Sequence, residues 1–114
     1  MRFEKLKVWQ DSCRLSVEIT KIFSTCSNYS LKDQITRSAL SIPSNIAEGE
    51  ERQSNKDTSR FYYYSKGSCG ELVTQLYIAI ELGYIDKTKG LLLVQDVKKI
   101  AAVIAKLIQR KSKP

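Results

Sequence analysis

The sequence predicts an all-α protein, an antiparallel up-down-up-down four-helix bundle, and three observations lead there. Apolar residues recur at steps of three and four along four long segments, the spacing that gathers them on one side of a helix. Those segments are rich in Leu, Ile, Ala, Lys, Glu and Gln, while the 114 residues include only 2 Pro and 5 Gly, so local propensity leans to helix and strand signals are nearly absent. Short polar tracts with capping residues divide the segments, and helices joined by short connections must lie antiparallel to their neighbours.

Helix one is expected over residues 6–24. Val8, Ser12, Leu15, Ile19, Ile22 and Cys26 form its inner stripe. On the other side Lys7, Asp11, Arg14, Glu18 and Lys21 alternate in sign at a spacing that lets neighbours pair in water. Helix two is expected over 31–51, with Ser30 and Asp33 placed to meet the free amides and the dipole of its first turn. Pro43 falls inside it and removes the bond to the Ala39 carbonyl, so a kink is expected there.

Gly49 and the polar run 50–55 break the pattern, and Ser54 with Asp57 signals the next start. Helix three is expected over 55–82, stopped by Gly83 as its C-cap. The polar tract 86–89 makes a turn, helix four is expected over 89–110, and residues 111–114 are expected to fray. The whole chain, 1–114, reads as one domain with one core.

Composition narrows the function. Charged residues make up 27% and hydrophobic ones 42%, a balance that can offset the entropy of folding. No run approaches the roughly 18 apolar residues of a membrane span, and the start does not read as a signal peptide, so a cytoplasmic protein without a membrane partner is expected. Cys13, Cys26 and Cys69 are odd in number, widely spaced and set in apolar-periodic segments, which suits reduced packing residues.

The chain has no histidine, the commonest general base and metal ligand. It also lacks a paired-cysteine motif, a glycine-rich phosphate loop and a nucleophile elbow. Glu48, Glu50 and Glu51 beside Arg52 read as a solvated helix end and not as metal ligands. The expectation is a protein that is not an enzyme, with no catalytic residue, metal or cofactor.

Two surfaces call for a partner. In helix three, Phe61, Cys69, Leu72, Leu76, Ala79 and Ile80 make the core stripe, yet the opposite side carries Tyr63, Tyr77 and Ile78 around Gly67, Gly70 and Thr74. A glycine in a helix costs up to about 1 kcal/mol relative to alanine, so two of them need a compensating close approach, for which a second copy of the chain is the candidate. Otherwise the tyrosines simply lie over the bundle's own helices with their hydroxyls wet. In helix four, Lys98, Lys99, Lys106, Arg110 and Lys113 fall within about 120° of arc, opposite Leu93, Val97, Ile100, Ile104, Leu107 and Ile108. With a net charge of +7, that stripe suits phosphates held through counterion release; it equally suits a solvated face near a helix C-terminus. No aromatic residue is interleaved along it to stack on bases.

The segment from Gln34 to Gly49, with Arg37 and the run Ser41-Ile42-Pro43-Ser44-Asn45-Ile46-Ala47-Glu48-Gly49, resembles the signature of the four-helix-bundle proteins encoded in 23S rRNA intervening sequences, a family also catalogued as ribosomal protein. Phe3, Leu6, Val8, Trp9 and Gln10 extend the resemblance towards the start, and Arg52, Phe61, Gly67, Ser68, Glu71, Leu72 and Leu82-Gly83-Tyr84 carry it on. Thr36 stands where an arginine is usual, and Cys69-Gly70 where a bulkier pair is usual.

The resemblance implies a homopentamer around a central channel, a shape shared with the accessory protein of diversity-generating retroelements, which associates with a reverse transcriptase and nucleic acid. The motif also has a physical reading. Gln34, Arg37, Asn45, Glu48, Ser68 and Glu71 are polar groups among apolar neighbours, expected to be buried and to bond one another or the carbonyl freed at Pro43. Arg37 is expected to pair with Glu71 or Glu48, within the bundle or across subunits.

The expected function is an oligomeric scaffold that binds RNA or DNA without base specificity through Lys98, Lys99, Lys106 and Arg110. The alternative is an adaptor that grips a polymerase-type protein and makes no nucleic-acid contact.

Overall fold

The structure, a computed structural model, describes residues 1–113. After a 3-10 turn at Arg2–Lys5 come four helices: α1 (Lys7–Phe23), α2 (Tyr29–Glu50), α3 (Asn55–Glu81) and α4 (Lys87–Ser112). No strand occurs among the described residues.

Local chemistry explains the ends. Asn28, and not Ser30, caps α2: its Oδ1 accepts from the Leu31 amide at 3.1 Å, so the helix begins two residues before the expected start. Ser54 caps α3 by accepting from the Asp57 amide at 3.1 Å. Asp86 caps α4 by accepting from the Lys89 amide at 3.0 Å, which draws residues 87 and 88 into the helix. Gly83 has φ +79°. There the Tyr84 amide reaches the Ala79 carbonyl at 2.9 Å and the Gly83 amide reaches that of Ile80 at 3.0 Å, the paired bonds of a Schellman stop. At its far end α4 runs on to Ser112, past the expected stop at Arg110, with Ile108 buried and Lys111 half-buried against the bundle. Pro114, expected to fray with its neighbours, lies outside the described residues.

One interior collects the inner faces of all four helices. Ile19 and Phe23 from α1, Ile35, Ile42 and Ile46 from α2, Leu72 and Leu76 from α3, and Leu93, Val97 and Ile104 from α4 are fully enclosed. Burying a side chain of this size contributes about 1.5–3 kcal/mol, which is what holds otherwise marginal helices in place. Their packing makes the chain an all-α four-helix bundle. No described helix is long and apolar enough to cross a membrane.

Hydroxyls fasten α3 to α2. Thr58 Oγ1 donates to the Gly49 carbonyl at 2.9 Å, Ser65 Oγ to the Ile42 carbonyl at 2.8 Å, and Ser68 Oγ to Ser41 Oγ at 2.9 Å. The partners descend along α2 as they ascend along α3, so these two helices run in opposite directions. At Gly49 the two backbones come close: a Cβ there would lie 3.1 Å from the Thr58 carbonyl oxygen and 3.2 Å from the Tyr62 ring. Neither neighbour yields easily, since one is backbone and the other is wedged in the core. Gly49→Ala is therefore expected to lose about 1 kcal/mol net, overpacking outweighing the gain in helix propensity. Urea denaturation checks this, and a raised midpoint would show that the Tyr62 ring gives way.

One core assignment needs correcting. Phe61 is only half-buried, and Tyr62, next in the chain, is 1% exposed. Tyr62 enters because its hydroxyl lies at the bundle end, where it donates to the Glu50 carboxylate. Burial, with that carboxylate beside it, pushes the phenol pKa well above its ordinary value. Cys26 and Cys69 are buried, Cys13 half-buried, and all three are free; burial pushes the Cys69 thiol up to about 12.

Candidate functional site

The outer face of α3 remains bare. Tyr63 is 59% exposed, Tyr77 44% and Ile78 47%, and Gly67, Gly70 and Thr74 lie open between them. Thr74 turns its hydroxyl back onto the Gly70 carbonyl at 2.9 Å, which satisfies that polar group within the helix. A Cβ at Gly67 or Gly70 would meet nothing within 4 Å, and neither residue has a positive φ. Nothing among the described residues therefore requires glycine at these positions.

The polar motif sits beside this face, on the seam of α2 and α3, and most of it is outside. Gln34, Arg37, Glu48 and Glu71 are exposed, against the expectation of burial. Arg37 donates through Nε to Asp33 Oδ2 at 3.0 Å, one turn back on its own helix, and in the chain pairs with neither Glu71 nor Glu48. Glu48 is taken by Arg52 one turn ahead. Exposed i,i+4 pairs of this kind contribute about 0.3–0.5 kcal/mol each. The reason is geometric: the interior side of α2 is already occupied by Ile35, Ala39, Ile42 and Ile46, so its polar edge turns outward.

Asn45 and Ser68 alone among the motif residues are withdrawn, and both converge on Ser41. Asn45 Nδ2 donates to the Ser41 carbonyl at 2.9 Å and to its Oγ at 2.8 Å, while Ser68 bonds that same Oγ. One turn beyond Glu71, Gln75 holds its Oε1 buried without a hydrogen-bond partner among the described residues. A buried acceptor left unpaired costs about 1–3 kcal/mol.

The basic face of α4 is solvated as a whole. Lys98, Lys99, Lys106, Arg110 and Lys113 are exposed, and among the described residues none is in an ion pair. Their surroundings differ. Lys99 opens on a groove of about 650 Å³ between α1 and α4, whose charged rim includes Asp11, Arg14, Glu18 and Asp96. There Lys7 at 2.9 Å and Arg14 at 2.6 Å hold the Asp11 carboxyl below its usual range. Lys89 bridges the two helices by donating to Glu18 at 2.9 Å. Arg110 lies instead at the bundle end, with Arg2, Glu50 and Tyr62.

A cluster that sequence reasoning missed joins aromatic rings to cations at the same end. The Arg52 guanidinium lies 4.5 Å and that of Arg60 4.7 Å from the Phe61 ring centroid, and Phe61 meets Tyr64 edge-on at 5.5 Å. The signal was present in Arg60 and Tyr64 at helical i,i+4 spacing. The acids at the end of α2 are engaged separately, Glu50 by Tyr62 and Glu48 by Arg52, and no group of potential metal ligands gathers among the described residues.

Comparison with known proteins agrees with this architecture. The family model described as 23S rRNA-intervening sequence protein matches residues 4–106. A search of curated proteins finds no match. Among solved structures, the chain is similar to a protein of unknown function from the S23 ribosomal protein family of Bacteroides thetaiotaomicron, with 25% identity and a TM-score of 0.83 over 89% of this chain and 97% of that one. With the motif on the α2–α3 seam and the match spanning all four helices, the chain belongs to the family of 23S rRNA-intervening sequence proteins.

Proposed function

We propose that this protein is a non-enzymatic, cytoplasmic homo-oligomeric scaffold that holds RNA or DNA without base preference on the basic face of α4. The observation that carries the reading is the open strip at Gly67 and Gly70. Two helical glycines cost up to about 2 kcal/mol together and gain nothing from the described residues, a cost that another backbone lying against them would offset. The exposed Tyr63, Tyr77 and Ile78 supply apolar area for that contact. The family resemblance suggests a pentamer, which would repeat Lys98, Lys99, Lys106 and Arg110 around one assembly and strengthen their field. Arg37, which would have to exchange its exposed pair with Asp33, could then meet the exposed Glu71 across subunits.

Light scattering coupled to size-exclusion chromatography tests this directly. The parent is expected to elute as an oligomer that gains mass with RNA at low salt and loses that gain at high salt. Gly67→Leu with Gly70→Leu is expected to shift the chain to monomer with its helical circular dichroism intact. A parent that is monomeric at high concentration would overturn the scaffold.

A second reading, an adaptor for a polymerase-type protein, is favoured by the α1–α4 groove, where Leu15, Ile22 and Ile100 form an apolar floor inside a charged rim. In that case RNA leaves the oligomer's mass unchanged at every salt concentration.

A further inference from the structure

Where α2 stops, α3 starts and α4 finishes, two pockets share a wall. The larger, about 690 Å³, is lined by Lys56, Arg60, Tyr63, Tyr64 and Lys111. The smaller, about 360 Å³, is lined by Arg2, Glu50, Tyr62, Arg110 and, again, Lys111. One lysine thus faces both.

The two pockets differ in chemistry. The first offers aromatic faces: Tyr63 is 59% and Tyr64 49% exposed. The Tyr64 ring meets Phe61 in a T-shaped contact at an interplanar angle of 88°, with the Arg60 guanidinium over the Tyr64 ring 6.0 Å from its centroid. The acid lining this pocket, Asp57, is engaged by Arg60 at 3.2 Å. The second pocket offers charge. Among the described residues, Arg2, Arg110 and Lys111 surround a single carboxylate, Glu50, which already accepts the Tyr62 hydroxyl, and none of the three cations is in an ion pair. Positive charge beside exposed aromatic faces is the combination that binds unpaired nucleic acid, because every base has a π-face and every link a phosphate.

We propose that the paired pockets take one unpaired nucleotide, its base against Tyr64 with Tyr63 alongside, and its phosphate on Arg2, Arg110 and Lys111. The proposal rests on the nucleic-acid reading above and narrows it to single-stranded partners, since a base stacked inside a duplex cannot reach the rings. Tyr63 is the residue at which this site and the self-association face meet; Tyr64 belongs to the site alone.

Fluorescence anisotropy on the full chain tests it, with labelled oligoadenylate of about ten nucleotides, an abasic strand of equal length, the matching duplex, and adenosine monophosphate as competitor. Oligoadenylate is expected to bind about 5- to 140-fold tighter than the abasic strand, the range that one base–aromatic stack provides. Tyr64→Leu should erase that difference without altering abasic binding, and Tyr64→Phe should keep it. The ring is exposed, so an unchanged thermal melt for Tyr64→Leu separates loss of the site from loss of fold.

Competition by the monophosphate at the strand's own affinity would assign the site to a free nucleotide; weaker competition assigns it to a strand. Equal affinity for oligoadenylate and the abasic strand, or tighter binding of the duplex, overturns the stacking site while leaving non-specific binding in place. No binding of any strand at low salt overturns both readings together.

Discussion

Replacing Lys98, Lys99, Lys106 and Arg110 together with glutamate is expected to abolish RNA and DNA binding at physiological salt and to leave the helices intact. All four side chains are exposed on α4, opposite Leu93, Val97, Ile100 and Ile104, so the substitutions do not enter the core. Each phosphate neutralised on a single strand contributes about −0.7 to the slope of log affinity against log salt, and on a duplex about −0.9. Losing four such contacts per copy should flatten the slope by about 3 and lower affinity by roughly a thousandfold or more, with repulsion from the new carboxylates added. Anisotropy titrations between about 50 and 200 mM salt measure both quantities. Lys99 lies near Asp11 and Asp96, so glutamate there adds some repulsion within the α1–α4 groove, which a thermal melt will register. A variant that keeps the parent's slope would place any nucleic acid elsewhere on the protein.

Tyr62→Ala is expected to cost about 3–5 kcal/mol, while Phe61→Ala, one position away, should cost about 1 kcal/mol. Tyr62 is the largest fully buried side chain, and its ring packs under Gly49 while its hydroxyl satisfies Glu50. Truncation leaves a cavity at the α2–α3 crossing and removes the partner of a half-buried carboxylate. Phe61 loses only surface contacts with Arg52, Arg60 and Tyr64. Against a typical domain stability of about 5–15 kcal/mol, the first change approaches unfolding and the second is mild. Urea midpoints at fixed protomer concentration compare the two, because an oligomer's stability depends on its concentration. Comparable losses would mean that the ring buried in solution is not the one identified here.

The neighbouring aromatics show where sequence reasoning reached its limit. Successive helical residues turn by about 100°, so Phe61, Tyr62, Tyr63 and Tyr64 are spread around the whole circumference of α3 and only one of them can point inward. Hydrophobicity favoured Phe61. The geometry favoured Tyr62, because a phenol can enter the core where its hydroxyl finds a carboxylate at the bundle end. Arg37 makes the same point: its charge and its place in the motif suggested a buried pair, yet within the chain an acid one turn away on its own helix is the partner in reach.

What the sequence determined by itself was the helical class, the four segments, the Ser54 cap, the Gly83 stop and the bareness of the α3 and α4 outer faces. These follow from apolar period and from bonds spanning a few residues, so they are written locally. The tertiary structure alone decided the close approach at Gly49, the convergence of Asn45 and Ser68 on Ser41, the unpaired Gln75 acceptor and the two pockets joined at Lys111. Each of these depends on how helices far apart in sequence are rotated and spaced against one another, and a shift of a few ångströms or a fraction of a turn would replace them with other neighbours.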